Sequence, residues 1–196
     1  MSRYTQVGVR RALVICTTLT LSAVTLSPDR TLAQAAASPV SRSVTDTICA
    51  RPVFRQFDYW AGDWIVKDTT GKVIGRNSVT RDVGGCALHE HWSGGSGEIG
   101  ESFTTYSPTE KKWHQLYVGS GGYIISMSGN FEGDRLVLVT APHAGYANPA
   151  IQVVERWTWT PVDPTHVRQT ATLSRDGGAT WIKQFDGTYE KTGGGR

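Results

Sequence analysis

The chain has 196 residues, with 20 Lys and Arg against 17 Asp and Glu, a formal charge of +3. Four Arg and one Asp fall within residues 1–35, so removing that segment leaves 161 residues with 16 basic and 16 acidic side chains. The positive balance belongs to the N-terminal segment. The remaining chain is neutral and of one-domain length, and it offers no electrostatic argument for nucleic acid or an acidic membrane surface.

Residues 1–35 are expected to be a signal peptide. Arg3, Arg10 and Arg11 form a basic start, Ala12 to Leu26 is an uncharged, mostly apolar run, and Ala33-Gln34-Ala35 has the small-x-small form of a cleavage site. The run is short for a transmembrane span. Secretion or a periplasmic location is therefore expected, with no integral span after cleavage; an uncleaved anchor is the alternative. Residues 36–50 have no hydrophobic period and are expected to be a flexible lead-in. Two cysteines remain downstream, Cys49 and Cys86, 37 residues apart. In an oxidising compartment they are expected to pair, and the loop-entropy model makes such a bridge worth about 4 kcal/mol. A catalytic thiol is the alternative, but no motif places a histidine beside either.

Residues 51–191 read as one all-β domain. After "RPVFRQFDYW", the longest stretch with any helical character, short runs alternate with turn residues: "DWIVKD", "VIGRNSVTRD", "CALHEHW", "ESFTTYS", "KWHQLYVG", "YIISMSGNF" and "RLVLVTA". A longer connection, "PHAGYANPA", precedes "IQVVERWTWT", "HVRQTATLS" and "TWIKQFDGTYE". This spacing predicts a single antiparallel meander of about nine or ten strands, closed into a barrel so that no edge is exposed. Residues 192–196 are expected to be a flexible tail.

The turn "SRDGGATW", Ser174 to Trp181, resembles the Asp-box hairpin of sialidases and other β-propellers. A propeller needs several four-stranded blades, which one such turn in 161 residues does not supply. Its expected role is local: Gly177 and Gly178 accept positive φ, Asp176 bonds the turn amides, and Trp181 packs beneath the corner.

Alternation along the strands separates inner from outer faces. Cys86, Leu88, Glu90 and Trp92 share one face; Trp113, Gln115 and Tyr117 share another; Val167, Gln169, Ala171 and Leu173 a third. Asn77 sits between Gly75 and Val79. Each otherwise core-like face thus carries one polar residue: Asn77, Glu90, Gln115 or Gln169. Burying such groups costs free energy unless they find partners. In a closed barrel they are expected to converge beside Trp92, Tyr117 and Trp157 or Trp159, forming an aromatic chamber for a small apolar or amphipathic molecule. Two rivals remain open. Glu90, walled by aromatics, is suited to act as a general base with a raised pKa. Alternatively the polar groups satisfy one another inside a solid structural or protein-interaction core.

His89 and His91 have the i, i+2 spacing of metal ligands on a strand, with His114 a possible neighbour. The cupin pattern wants a Glu three or four residues beyond the second His, whereas here Glu98 comes seven residues after His91. Solvated histidines on an outer face are the preferred expectation, and no metal or other cofactor is implied. Nucleophile, phosphate-loop and dinucleotide motifs are absent.

"FDYWAGDW" contains Gly62-Asp63-Trp64, which resembles the G-x-W of lipocalin-like (calycin) barrels. Taken with "GRNSVTRDVGGCALHEHW", "KWHQLYV" and "VRQTATLSRDGGATWIKQFDGTY", the chain from Cys49 to Lys191 resembles a bacterial family of secreted domains of unknown function. The resemblance implies a lipocalin-like barrel, an export signal, and a Trp64 that closes the barrel's base. It supplies no catalytic residues, and the histidine motif of heme-binding barrels is not found.

Overall fold

The computed structural model describes residues 48–193. The segment read as a signal peptide, the lead-in as far as residue 47 and the last three residues lie outside the described residues. The described residues form eleven strands in chain order: β1 (Gly62–Lys67), β2 (Val73–Asp82), β3 (Ala87–Gly94), β4 (Ile99–Ser107), β5 (Lys112–Gly119), β6 (Ile124–Glu132), β7 (Arg135–Thr140), β8 (His143–Ala144), β9 (Gln152–Asp163), β10 (His166–Ser174) and β11 (Ile182–Lys191). Apart from the two-residue β8, which only flanks β9, each strand pairs antiparallel with the next, and β11 returns to β1. The result is a closed up-and-down barrel of ten strands, as the turn spacing predicts. The ladder extends just past β11, where the Thr192 amide donates to the Asp63 carbonyl at 2.8 Å. Among the described residues no helix is long and apolar enough to cross a membrane.

One end of the barrel is filled. The stretch with helical character resolves into 3₁₀ turns at Pro52–Arg55 and Asp58–Trp60. Phe54, Phe57 and Trp60 recur every third residue along this run of tight turns, Phe57 at the junction of the two, and all three are buried. Each is at most 5% exposed. Trp60 stacks on Trp64 with centroids 5.7 Å apart and tilts against Tyr189 at 4.6 Å. Phe57 meets Trp113 and Trp159 edge-on at 6.0 and 5.7 Å. The Trp64 indole donates to the Trp60 carbonyl at 3.1 Å, tying plug to wall.

The disulfide forms as expected between Cys49 and Cys86, with Cα atoms 4.8 Å apart. Cys49 lies in a 3₁₀ turn, Ile48–Ala50, at the end of the segment expected to be flexible, and is 1% exposed. The bridge fastens the start of the plug to the head of β3.

The β10–β11 hairpin is built as its sequence implies. The Ser174 hydroxyl accepts from the Gly178 amide at 2.7 Å, and Asp176 accepts from the Thr180 amide and hydroxyl at 2.9 and 2.6 Å. Gly177 and Gly178 have φ of 71° and 99°. Arg156 caps the Trp181 ring at 3.9 Å. The bonds to Thr180 hold the Asp176 carboxyl well below its ordinary pKa.

Candidate functional site

The inner wall follows the strand alternation. Asn77, Glu90, Gln115 and Gln169 are each at most 6% exposed and face inward from β2, β3, β5 and β10. Three of them belong to one network. The Asn77 side-chain amide donates to Glu90 Oε1 at 3.0 Å, the Ser102 hydroxyl donates to Glu90 Oε2 at 2.6 Å, and the Gln115 amide donates to Ser102 and Thr104 at 3.2 and 2.8 Å. Gln169 lies apart, on the β10 wall, and accepts from the Tyr189 hydroxyl. These groups form a polar belt across the middle of the barrel, above the aromatic plug.

Beyond the belt the barrel is open inside. A cavity of about 170 Å³ has Glu90, Gln115 and Gln169 in its lining, with Trp92, Tyr117, Trp157, Phe185 and Tyr189 among its aromatic walls and Ile125 and Met127 completing the apolar side. Six of the seven ligand-binding candidates therefore line one cavity, and Asn77 stands behind Glu90. Of the two tryptophans expected near the chamber from β9, Trp157 lines the cavity, while Trp159 is 1% exposed among the plug aromatics. Trp157 is held by its indole, which donates to Glu155 Oε2 at 3.0 Å.

Glycines on the inner wall make room for these rings. A Cβ on Gly75 would collide with Trp92 and one on Gly100 with Tyr117, while one on Gly187 would come within 2.6 Å of Phe185. Overpacking of this kind costs about 1–3 kcal/mol. Gly100→Ala is expected to lower stability by that amount and to swing Tyr117 from its place. An unfolding midpoint equal to wild type would show that the ring is not pinned there.

At the rim, Glu98 accepts from Tyr123 and, at 3.4 Å, from Tyr117. Burial pushes the Tyr123 hydroxyl up to about 12, with the Glu98 carboxylate adding to the effect. A second cavity of about 320 Å³ adjoins the first, sharing Tyr123 and Ile125, and extends under the 145–151 connection to Arg175 and Gln184. Glu98, Tyr123, Phe185 and Tyr189 are site residues outside the strand faces from which the chamber is predicted. Phe185 and Tyr189 alternate with Gly187 on β11 opposite Ala171, Val167 and Gln169, so parity extended to that strand finds them. Glu98 sits in a turn, where parity gives no signal.

Burial raises the pKa of the Glu90 carboxyl against the two hydrogen bonds that oppose it. A carboxyl in this setting can hold or accept a proton, or meet a positive charge. No cysteine is available as a nucleophile among the described residues, since both cysteines there are bridged.

The histidines face outward. His89 Nε2 and His91 Nδ1 lie 3.2 and 3.3 Å from the two oxygens of Glu101, and candidate ligand atoms of these three residues fall within 4.8 Å of one another. His114 is not part of that group; it pairs with Glu110 at 3.2 Å. His89 stacks on Phe103, centroids 4.2 Å apart, which accounts for its partial burial.

The fold and site define a closed antiparallel barrel with one plugged end and an aromatic, acid-bearing chamber toward the other. No family model matches the chain, and no curated protein matches it. Among solved structures it is similar to the chain described as "Structure of EF1p2_mFAP2b bound to DFHBI", at 12% identity and a TM-score of 0.35, covering 71% of this chain and 99% of that one. A likeness at that level bears on neither the chamber nor its contents.

Proposed function

We propose that this is an exported, lipocalin-like barrel that binds a small, largely apolar molecule in its upper chamber. The observation that carries the proposal is the cavity itself, where buried hydrogen-bonding groups converge on a pocket walled by aromatic rings. A solid structural core has no use for such a space. Export is supported by the signal-like residues 1–35 and by a disulfide suited to an oxidising compartment.

Size limits the ligand. An apolar cavity of about 150 Å³ holds one benzene ring, so the chamber suits a body of that order, and anything longer must reach into the adjoining cavity. The test uses benzyl alcohol as a neutral one-ring probe, followed by the chemical shifts of the lining residues. Saturable shifts at Trp92, Tyr117 and Trp157 are expected, with a Kd on the order of 1 mM or tighter. Met127→Trp, which fills the chamber, is expected to abolish them. Shifts that persist unchanged in a folded Met127→Trp protein would place the probe elsewhere and defeat the proposal.

A further inference from the structure

We propose that the molecule held in the chamber is an organic cation, a small amine whose apolar body rests among the rings and whose charge meets Glu90. This inference rests on the proposed ligand-binding function and gives the ligand its chemical class.

Three observations converge on it. The first is an unbalanced charge. Glu90 is buried, its two oxygens accept only from the neutral Asn77 and Ser102, and no Lys, Arg or His lines the cavity among the described residues. A buried carboxylate is ordinarily paired, and the partner missing from this protein wall is a cation. The second is a further acid at the rim. Glu98 is held by the hydroxyls of Tyr117 and Tyr123, so a ligand crossing the rim meets negative charge there as well. The third is the wall itself. Trp92, Tyr117, Tyr123, Trp157, Phe185 and Tyr189 all line the same cavity, and the faces of such rings attract ammonium groups, most strongly where water is excluded.

The alternatives fit the chemistry less well. Within the chamber an anion would lie against Glu90 and Glu98 with no basic side chain among the described lining residues to offset them, since Arg175 belongs to the adjoining cavity. A neutral ligand would leave the carboxylate unbalanced, so that Glu90 must take up a proton. An amine replaces its lost hydration with one carboxylate and several π faces. The groups that face Glu90 are compatible with this: Asn77 from β2 and Ser102 from β4 are uncharged, and the tyrosines that feel its charge, Tyr117 from β5 and Tyr189 from β11, are held above their ordinary pKa by burial. His91, on the same strand, points to the outer face.

The experiment is calorimetric titration with benzylammonium, benzyl alcohol and benzoate, three probes of matched shape and different charge. Benzylammonium is expected to bind about tenfold or more tightly than benzyl alcohol, with benzoate weakest. The preference should survive a rise in salt, because the charges are sheltered, whereas loose attraction to surface acids would be screened away. Glu90→Gln is expected to bring benzylammonium down to the level of benzyl alcohol measured on the same variant, abolishing the preference of about tenfold or more. Should that variant fail to fold, the wild-type probe series and its salt dependence decide by themselves. Equal binding of alcohol and amine, or a preference lost in salt, overturns the cation inference and leaves the chamber intact. Failure of all three probes to bind overturns both.

Discussion

Replacing Trp60 by alanine is expected to cost about 3–5 kcal/mol, the range for deleting a large aromatic from a packed interior. Trp60 is 1% exposed and touches Phe57, Trp64, Trp159 and Tyr189 within 6.3 Å between centroids, so no neighbour can close the gap without leaving its own position. Single domains of this size are stable by about 5–15 kcal/mol, and the loss is therefore a large share of the whole. Urea unfolding, followed by circular dichroism, measures it. Trp157→Ala is the internal comparison. Trp157 borders a cavity on one side, so its removal enlarges existing space, and a smaller loss is expected. Equal losses at the two sites would show that the plugged half of the barrel is no better packed than the chamber.

The second large effect concerns Glu90 and pH. Burial raises its pKa above the ordinary 4.5, so between 4.5 and the raised value the folded chain holds a proton that the unfolded chain has released. Its contribution to stability is therefore complete below about pH 4 and declines as pH climbs through that window. Glu90→Gln removes the titration while keeping the shape. The variant should gain on wild type as pH rises through that window, by about 2–4 °C in Tm for each kcal/mol released. Other carboxyls oppose this slope: Asp186, held down to about 2 by the Arg168 guanidinium at 2.8 and 2.9 Å, loses its contribution only as pH falls. Such groups are common to both proteins, so the difference between the two curves isolates Glu90. A difference independent of pH would mean that Glu90 titrates alike folded and unfolded. An added cationic ligand should hold the carboxylate ionised and flatten the wild-type decline.

Most of the chamber was legible because side chains in a strand alternate and little disturbed that alternation where it mattered. β3 and β5 pair with both neighbours without a register shift, so Glu90, Trp92, Gln115 and Tyr117 kept the faces read from the sequence. Register shifts occur elsewhere, at Val66/Lys67, at His166/Val167 and at Ala171/Thr172. The residues skipped on the two sides of β10 are Gln184 of β11 and Val162 of β9, so β10 keeps its own alternation and Gln169 stayed inside. The plug was visible as composition and hidden as conformation: Pro52 and a three-residue aromatic spacing were present, but only packing against Trp113, Trp159 and Tyr189 makes a 3₁₀ path worth its poor hydrogen bonds. Glu98 was illegible, since a turn residue's direction depends on the strands it joins. His114 illustrates the converse. It shares an outer face with His89 and His91, yet two strands of lateral distance take it out of their reach.

The covalent fastening of the plug has a kinetic consequence. Cys49 is locked to Cys86 and the aromatic floor is wedged beneath the polar belt, so among the described residues that end of the barrel is packed shut. A guest held as proposed would come and go on the opposite side, where Tyr123 borders both cavities. For such a guest, substitutions at Tyr123 are expected to change arrival and departure rates together, whereas Glu90→Gln is expected to change departure alone.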